Sequence, residues 1–250
     1  MEALDSYLKA LKLPEILSSY KKQAEESLKA GESYEAFLCL LAEQEVLGRS
    51  SRQVQARIKK AFFPSLKMLE SFDFAVLPSL DKKRVLSLAR GDYLDKYENL
   101  LAIGNSGTGK THLAIALGMA ACQQNHSVLF QTAAHLVHTL TEAHDAKRLL
   151  ALQRKLKNNK LLIIDELGYV PFSKTGSELL FEVLSQRYEN GSIIITSNLP
   201  FEEWPQVFGC SRLTGALLDR LTHHAHIMEI NGPSYRVAER SGKKGSTAPT

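Results

Sequence analysis

The sequence predicts an α/β fold in which helices cover both faces of a parallel sheet, preceded by a small all-helical domain. Two observations support this prediction. In the first 70 residues, leucine, isoleucine and alanine recur at three- and four-residue steps, as they do in helices that pack on one face. From residue 96 onward, short apolar runs alternate with amphipathic helical stretches, which is the pattern of a parallel sheet buried on both faces.

The N-terminal region, residues 1–70, is predicted to be a series of helices. Pro14 is expected to start the second helix, where its missing amide hydrogen costs nothing. Ser33 is the predicted N-cap of the third helix, SYEAFLCLLAEQEVL. Ser50 or Ser51 is expected to cap a fourth helix, which Pro64 then ends.

The α/β domain is expected over residues 96–240, after a connector with short helical pieces at residues 71–95. Its predicted strands are NLLAIG, SVLFQT, KLLIIDE and SIIITSN, and a further strand begins between Thr222 and Ile230. Residues 241–250 are predicted to be a disordered polar tail. Too few residues follow the last helix for a full helical lid, so we expect little or no C-terminal lid.

The composition is that of a soluble globular protein, with 44% hydrophobic and 23% charged residues. No apolar run approaches the roughly 20 residues that span a bilayer. The N-terminus lacks the apolar stretch of a secretion signal. Cys39, Cys122 and Cys210 are far apart and in no metal-binding spacing. We therefore expect a cytoplasmic protein with no membrane partner, no disulfide framework and no zinc site.

The most specific motif is the glycine-rich loop between the first predicted strand and the helix that follows it. It matches G-x-x-x-x-G-K-[ST] in full, with Gly104, Asn105, Ser106, Gly107, Thr108, Gly109, Lys110 and Thr111. Glycines let backbone N–H groups surround a phosphate, and the helix N-terminus adds positive potential. Lys110 is expected to reach the β- and γ-phosphates of ATP, and the Thr111 hydroxyl to bind Mg²⁺.

Polar residues at two further strand ends predict a hydrolytic site. Asp165 and Glu166 follow an apolar strand, at the edge where ligands of α/β sheets bind. Asp165 is expected to hold Mg²⁺, and Glu166 to orient and deprotonate the attacking water. Asn198 ends the next strand and is expected to position that water, unless it only serves the turn before Pro200. A small-molecule kinase is disfavoured because it needs no water-activating glutamate.

These motifs, in this order, resemble those of AAA+ ATPases, namely Walker A, Walker B with a catalytic glutamate, and a sensor-one asparagine. Longer phrases narrow the resemblance to the IstB family of transposition helper ATPases: GTGKTHLAIALG, LLIIDELGYVPF, RYENGSIIITSNLPFEEW, LLDRLTHHAHIMEINGPSYR and FFPSLKMLESFDF. The resemblance covers nearly all of residues 30–237. It implies a bacterial, cytoplasmic ATPase that self-assembles on duplex DNA with ATP, delivers the target site to a cognate transposase and stimulates it. A DnaC-type helicase loader is the alternative.

The resemblance also implies an arginine that reaches the ATP site of a neighbouring subunit and neutralises charge on the γ-phosphate. Arg220, in LLDRL, matches that position, and Arg212 is the second candidate. A surface pair between Arg220 and Asp219 is the structural alternative. Arg236, in SYR, matches a sensor-two-like arginine that binds nucleotide, although we expect little or no lid of the kind that usually carries it.

A basic segment follows an acidic one near the N-terminus. Residues 1–48 carry five lysines against nine acids, whereas residues 49–67 carry six basic residues and no acid. On one helix, five of the basic residues fall within an arc of about 160°. They are Arg49, Arg52, Arg57, Lys59 and Lys60. We expect this face of the 1–70 domain to bind the phosphates of duplex DNA, with a solvated helix face as the alternative.

Other candidates are less specific. A second basic helix is predicted through Lys147, Arg148, Arg154, Lys155 and Lys157, and either contacts DNA or is a plain surface helix. His223, His224 and His226 are interpreted as packing and surface residues rather than as metal ligands. Trp204 is expected to anchor the core or an interface.

Overall fold

The computed structural model describes residues 2–234 of the chain. Contacts divide the chain into two compact units, Met1–Ala56 and Arg57–Thr250. The division lies inside a helix, whereas the sequence-based boundary was placed at residue 70. The expected lack of a C-terminal lid and the predicted disordered tail concern residues 235–250, which lie outside the described residues.

The first unit is built from helices α1 (Glu2–Ala10), α2 (Pro14–Ala30) and most of α3 (Tyr34–Ala61). Pro14 occupies the first turn of α2, and Ser33 Oγ accepts a hydrogen bond from Ala36 N at 3.1 Å. Both predicted helix starts are therefore confirmed.

Helix α3 corrects one prediction, because it runs without a break for 28 residues. Ser50 and Ser51 lie inside it and cap nothing. Gly48 also lies inside α3, because a glycine within a helix costs only about 1 kcal/mol relative to alanine. A Cβ at Gly48 would lie 2.4 Å from Glu15 Cγ, so the glycine gives the side chain of α2 its space.

The connector contains short helical pieces, as predicted. They are the 3-10 turns Leu69–Ser71 and Phe74–Val76 and the helices α4 (Lys82–Leu88) and α5 (Asp92–Asp95). Asp81 caps α4, since its carboxylate accepts from Lys83 N at 2.8 Å and from Arg84 N at 3.2 Å.

The sheet is parallel throughout, which confirms the predicted fold class. Its strands are β1 (Asn99–Ile103), β2 (Val128–Thr132), β3 (Leu161–Leu167), β4 (Ser192–Ser197) and β5 (Ala225–Glu229). The spatial order is β2-β3-β4-β1-β5, and every pair in this order is parallel. All strands therefore present their carboxyl ends at one edge, which we call the carboxyl edge.

Helices cover both faces of the sheet. They are α6 (Lys110–Gln123), α7 (Ala133–Asp145), α8 (Leu149–Lys157), α9 (Lys174–Arg187), α10 (Trp204–Phe208) and α11 (Ser211–His223). Strand β1 shows the two-sided burial, because Leu100 and Ala102 join the core around α6 while Leu101 joins the core around α7, α9 and α11. Trp204 is fully buried in the second core, as expected of an anchor. Among the described residues, no helix is long and apolar enough to span a membrane.

Candidate active site

The strand order brings the predicted motifs together at the carboxyl edge. The loop of residues 104–111 follows β1, and its neighbour β4 leads into Asn198. Strand β3, on the other side of β4, carries Asp165 and Glu166 near its end. Residues from three positions in the chain therefore meet where parallel sheets bind their ligands.

The phosphate loop depends on glycine at both of its ends. Gly104 has φ of 150°, and a Cβ there would lie 2.1 Å from the carbonyl oxygen of Ile230. Gly109 has φ of 92° at the N-cap of α6, a conformation that strains residues with a side chain. Glycine at these positions lets the loop curve tightly into the first turn of α6.

Lys110 is nearly buried, with 8% of its surface exposed. Its Nζ donates to Gly104 O at 2.7 Å and to Asn105 O at 2.6 Å, so the ammonium lies against the curve of the loop. A cation at this position stands beside the N-terminus of α6, and both favour an anion bound to the loop.

Thr111 and Asp165 are joined directly. Thr111 Oγ1 lies 2.8 Å from Asp165 Oδ1 and 3.1 Å from Asp165 Oδ2. Asp165 is buried, with 4% of its surface exposed. A hydroxyl and a carboxylate in contact are hard oxygen ligands, and the pair fits a Mg²⁺ ion that also binds phosphate oxygens and water.

Glu166 lies in a β-bulge with a left-handed backbone. Ile164 pairs with Ile195, but the next pair is Leu167 with Ser197, so Asp165 and Glu166 together face one residue of β4. The φ angle of Glu166 is 60°, which is rare for a residue with a side chain. Such outliers cluster at functional sites, and the bulge changes the direction of the strand at the glutamate.

Thr196 is the residue of β4 that faces this bulge. Its Oγ1 accepts from Glu166 N at 3.0 Å and donates to Asp165 Oδ1. Sequence reasoning missed Thr196, although a hydroxyl residue near the end of an apolar strand was the available signal.

Asn198 has an unused acceptor. Its Oδ1 is buried and has no hydrogen-bond partner among the described residues. Asn198 and Glu166 line the same cavity, so the amide is available for a group bound there.

The cavity beside the loop measures about 510 Å³ and has an apolar end. Its lining includes Ser106 to His112, Ile115, Glu166, Tyr169 and Thr196 to Asn198, together with Pro64, Ser65, Lys67, Ser71, Phe72, Asp73 and Leu77. The Phe72 ring stands edge-on to His112 with centroids 5.2 Å apart. The sequence did not predict that residues 64–77 would form a wall of the site, because the phrase FFPSLKMLESFDF indicated the family and not a position in the fold.

The chain matches the family described as IstB-like ATP binding protein over residues 6–243. The chain belongs to this family. Its relatives include an ATP-binding protein named for insertion sequence IS21 of Pseudomonas aeruginosa, 40% identical and covering 96% of this chain and 91% of its own length. Another, named for insertion sequence IS5376 of Geobacillus stearothermophilus, is 38% identical, and the match covers 96% of this chain and 95% of the relative.

Solved structures support the fold of this IstB-like chain. AMPPCP-bound DnaA from Aquifex aeolicus superposes with a TM-score of 0.58 at 19% identity, over 76% of this chain and 58% of that one. DnaI superposes with a TM-score of 0.54 at 20% identity, over 67% of this chain and 89% of that one. The fold is thus that of AAA+ P-loop proteins. The site is that of an ATP-binding ATPase, because the chain belongs to this family and carries the phosphate loop together with the neighbouring carboxylates Asp165 and Glu166.

Arg220 lies at the opposite edge of the sheet. Helix α11 ends just before β5 begins, and Asn99 Nδ2, at the start of β1, donates to Leu221 O at 3.2 Å. Arg220 Nη1 donates to Ala216 O at 3.2 Å, and its guanidinium lies over the ring of Phe181 at 5.1 Å. Arg220 is therefore remote from the nucleotide site of its own chain.

The structural alternative for Arg220 was a pair with Asp219. No ion pair joins these two side chains within the part of the chain that the structure describes. Arg212, the second candidate, is exposed on the first turn of α11. Arg236 lies outside the described residues.

Arg49 and Arg52 are occupied by acids of the first unit. Arg52 pairs with Glu15 and, at 3.1 Å, with Glu45, and Arg49 lies 3.6 Å from Glu45. Glu45 is 4% exposed and also accepts from Glu15 N at 2.9 Å and Ile16 N at 3.3 Å, which caps the start of α2. These arginines therefore balance a buried carboxylate, a role the charge pattern did not reveal.

Arg57 is partly buried. Its Nη1 is buried without a hydrogen-bond partner among the described residues. Burial raises the pKa of the Cys122 thiol on α6 to about 11, and the nearby charge of Arg57 acts in the opposite direction. Lys59 and Lys60, on the same helix, are exposed.

The second basic helix is shorter than predicted. Lys147 and Arg148 lie in the turn before α8, where Lys147 has φ of 56°, and both are exposed. Arg154, Lys155 and Lys157 on α8 are exposed as well. Separately, His226 Nε2 lies 2.8 Å from Glu98 Oε2 and His223 Nδ1 lies 3.0 Å from Tyr188 OH, contacts that fit surface packing.

Proposed function

We propose that this IstB-family ATPase assembles on duplex DNA with ATP and Mg²⁺, and delivers that DNA as a target site to a partner transposase, which it stimulates. Relatives named for insertion sequences support the transposition context. The single observation that carries the proposal is the separation of the phosphate loop from Arg220, at opposite edges of one sheet. This separation suits a site that a second subunit completes.

The cavity fits ATP. The loop and Lys110 would hold the phosphates, and the apolar end near Phe72, Leu77 and Ile115 suits a base. Thr111 and Asp165 would hold Mg²⁺, which supplies charge neutralisation on the β- and γ-phosphates.

Hydrolysis requires a water nucleophile and a base. The Glu166 carboxylate would take a proton from the water while the water oxygen forms a bond to the γ-phosphorus. The bond between the γ-phosphorus and the oxygen that bridges it to the β-phosphate would break, and ADP would leave. Asn198 Oδ1, buried and without a hydrogen-bond partner in residues 2–234, would accept a hydrogen bond from that water and orient it. Lys110 would stabilise charge on the leaving phosphates.

Arg220 would act on the ATP of a neighbouring subunit. Its guanidinium lies over Phe181 and donates to Ala216 O, and among the described residues no acid of its own helix pairs with it. A cation brought to the γ-phosphate would make hydrolysis depend on assembly. ATP binding would favour the assembly, and hydrolysis would loosen it.

Exposed cations would supply the affinity for DNA. Lys59 and Lys60, and the group formed by Lys147, Arg148 and α8, are the candidates that the fold leaves exposed. Contacts from lysine and arginine to phosphates carry no sequence information, so we expect weak sequence preference.

The test is duplex binding with ATP and Mg²⁺ and without nucleotide, measured for the wild type and Lys110→Ala. We expect the wild type to form oligomers on DNA only with ATP, and Lys110→Ala to form none. Oligomers of Lys110→Ala on DNA without nucleotide would contradict the proposal. A helicase loader, the alternative from the sequence resemblance, is the second candidate. Retention of a replicative helicase without duplex binding would favour it.

A further inference from the structure

We propose that Thr196 is a positioning residue for ATP hydrolysis, and that its one hydroxyl holds both Asp165 and Glu166 in their working places. The proposal rests on the hydrolytic function of the site and adds a residue to it.

One oxygen serves both acidic residues. Thr196 is 1% exposed, at the position of β4 that faces the bulge. Its Oγ1 accepts from the backbone N–H of Glu166 at 3.0 Å and donates its own hydrogen to Asp165 Oδ1. The donor and acceptor capacities of the hydroxyl are thus both directed to the Walker B residues.

The bulge creates the need for this hydroxyl. Two residues of β3 face one residue of β4, so the sheet ladder cannot pair every backbone group there. A buried N–H without a partner destabilises the local structure. The Thr196 hydroxyl accepts the hydrogen bond from Glu166 N that a backbone carbonyl would accept in a regular ladder. This bond stabilises the left-handed backbone of Glu166, whose φ is 60°.

Asp165 receives its second partner from the same hydroxyl. Thr111 contacts both carboxylate oxygens from one side, and Thr196 donates to Oδ1 from β4. Partners of this kind fix the orientation of a metal-binding carboxylate. If the Thr111 oxygen bound Mg²⁺, the Thr196 hydroxyl would still hold Asp165 in place.

Thr214 is a buried threonine whose hydroxyl does not contact the acidic residues. It is also 1% exposed, and its Oγ1 donates to Cys210 O of its own helix at 2.9 Å. Thr214→Val therefore removes an equally buried hydroxyl whose hydrogen bond is to its own helix and not to the carboxylates, and it is a matched control for Thr196→Val.

The experiment measures steady-state ATP hydrolysis and Mg²⁺ dependence of the full chain on duplex DNA. We expect Thr196→Val to lower kcat roughly 10- to 100-fold and to raise the Mg²⁺ concentration for half-maximal activity, as loss of a partner of a metal ligand does. KM for ATP should change less than about threefold, because the phosphate loop is untouched. Thr196→Ser keeps the hydroxyl and should restore kcat to within about threefold of wild type. Thr214→Val should lower the melting temperature without changing kcat.

Two outcomes would overturn the proposal. One is a folded Thr196→Val protein with kcat within about threefold of wild type. The other is Thr196→Ser as impaired as Thr196→Val, since the methyl group and not the hydroxyl would then matter. If Thr196→Val does not fold, hydrogen exchange of the Glu166 amide in the wild type decides, because rapid exchange would show that the bond is absent. Wild-type protein that hydrolyses no ATP would instead defeat the proposed function itself.

Discussion

The carboxyl edge of the sheet and the basic segment of α3 use charge in opposite ways. At the sheet edge, Lys110 and Asp165 are buried, and their contacts come from the loop, α6 and β4. Along α3, Arg49 and Arg52 are about half exposed and pair with acids of their own unit. Buried charge at the edge is organised for a ligand, whereas part of the exposed charge is used by the fold.

The largest effect is expected at the edge, from Glu166→Gln. Loss of the base should slow hydrolysis by about 10³-fold while ATP still binds. The ATP-bound complex on DNA should accumulate, because we propose that hydrolysis loosens it. Single-turnover hydrolysis and the lifetime of the DNA complex measure both effects. Wild-type turnover in Glu166→Gln would show that another group activates the water.

Asn198→Ala should have the next largest effect, at the same edge. Removing one positioning group from the reacting water should lower kcat about 10²-fold, with little change in KM for ATP. Asn198→Asp keeps the acceptor oxygen and is the matched control. A loss confined to KM would indicate that Asn198 holds ATP rather than water.

On the α3 side, Glu45→Ala should destabilise the first unit by roughly 2 kcal/mol, because charge-assisted hydrogen bonds to Arg52 and to the start of α2 are lost. Hydrogen exchange of the Glu15 and Ile16 amides should accelerate. Glu43→Ala, an exposed acid on the same helix, is the control and should leave these amides unchanged. Equal effects of the two variants would contradict the capping role.

The smallest expected effect belongs to the exposed lysines. Lys59→Ala with Lys60→Ala should weaken duplex binding about tenfold at moderate salt and lower the salt slope by about 2. The control changes Lys21 and Lys22 to alanine, since these lysines already pair with Asp5 and Glu26. If the two double variants bind duplex DNA with the same affinity, Lys59 and Lys60 of α3 do not contact the duplex.

Local signals explain what the sequence could predict. The phosphate loop, the strands and Pro14 at the start of α2 each depend on residues within one short segment. Asp165 and Glu166 could also be placed, because parallel strands end at one edge. The fold class follows from the same alternation of strands and helices.

Contacts between distant segments explain what the sequence could not predict. Glu45 meets Glu15 and Arg52 only after α2 and α3 pack, so their arginines looked like a free basic face. The bulge at Glu166 depends on register with β4, and Thr196 acquires its partners only through that register. Helix α3 passes Gly48 because packing outweighs the weak preference of glycine to break helices.

The most direct test of a shared ATP site mixes Arg220→Ala with Glu166→Gln protein on duplex DNA, since Glu166→Gln is expected to bind ATP and assemble without hydrolysing it. Each variant alone should be inactive, because every interface lacks one group. In a random head-to-tail mixture, roughly a quarter of the interfaces would join an intact Glu166 to an intact Arg220, and a similar share of wild-type ATPase activity should return. A mixture that co-assembles yet stays inactive, or an Arg220→Ala protein as active as wild type, would contradict the account.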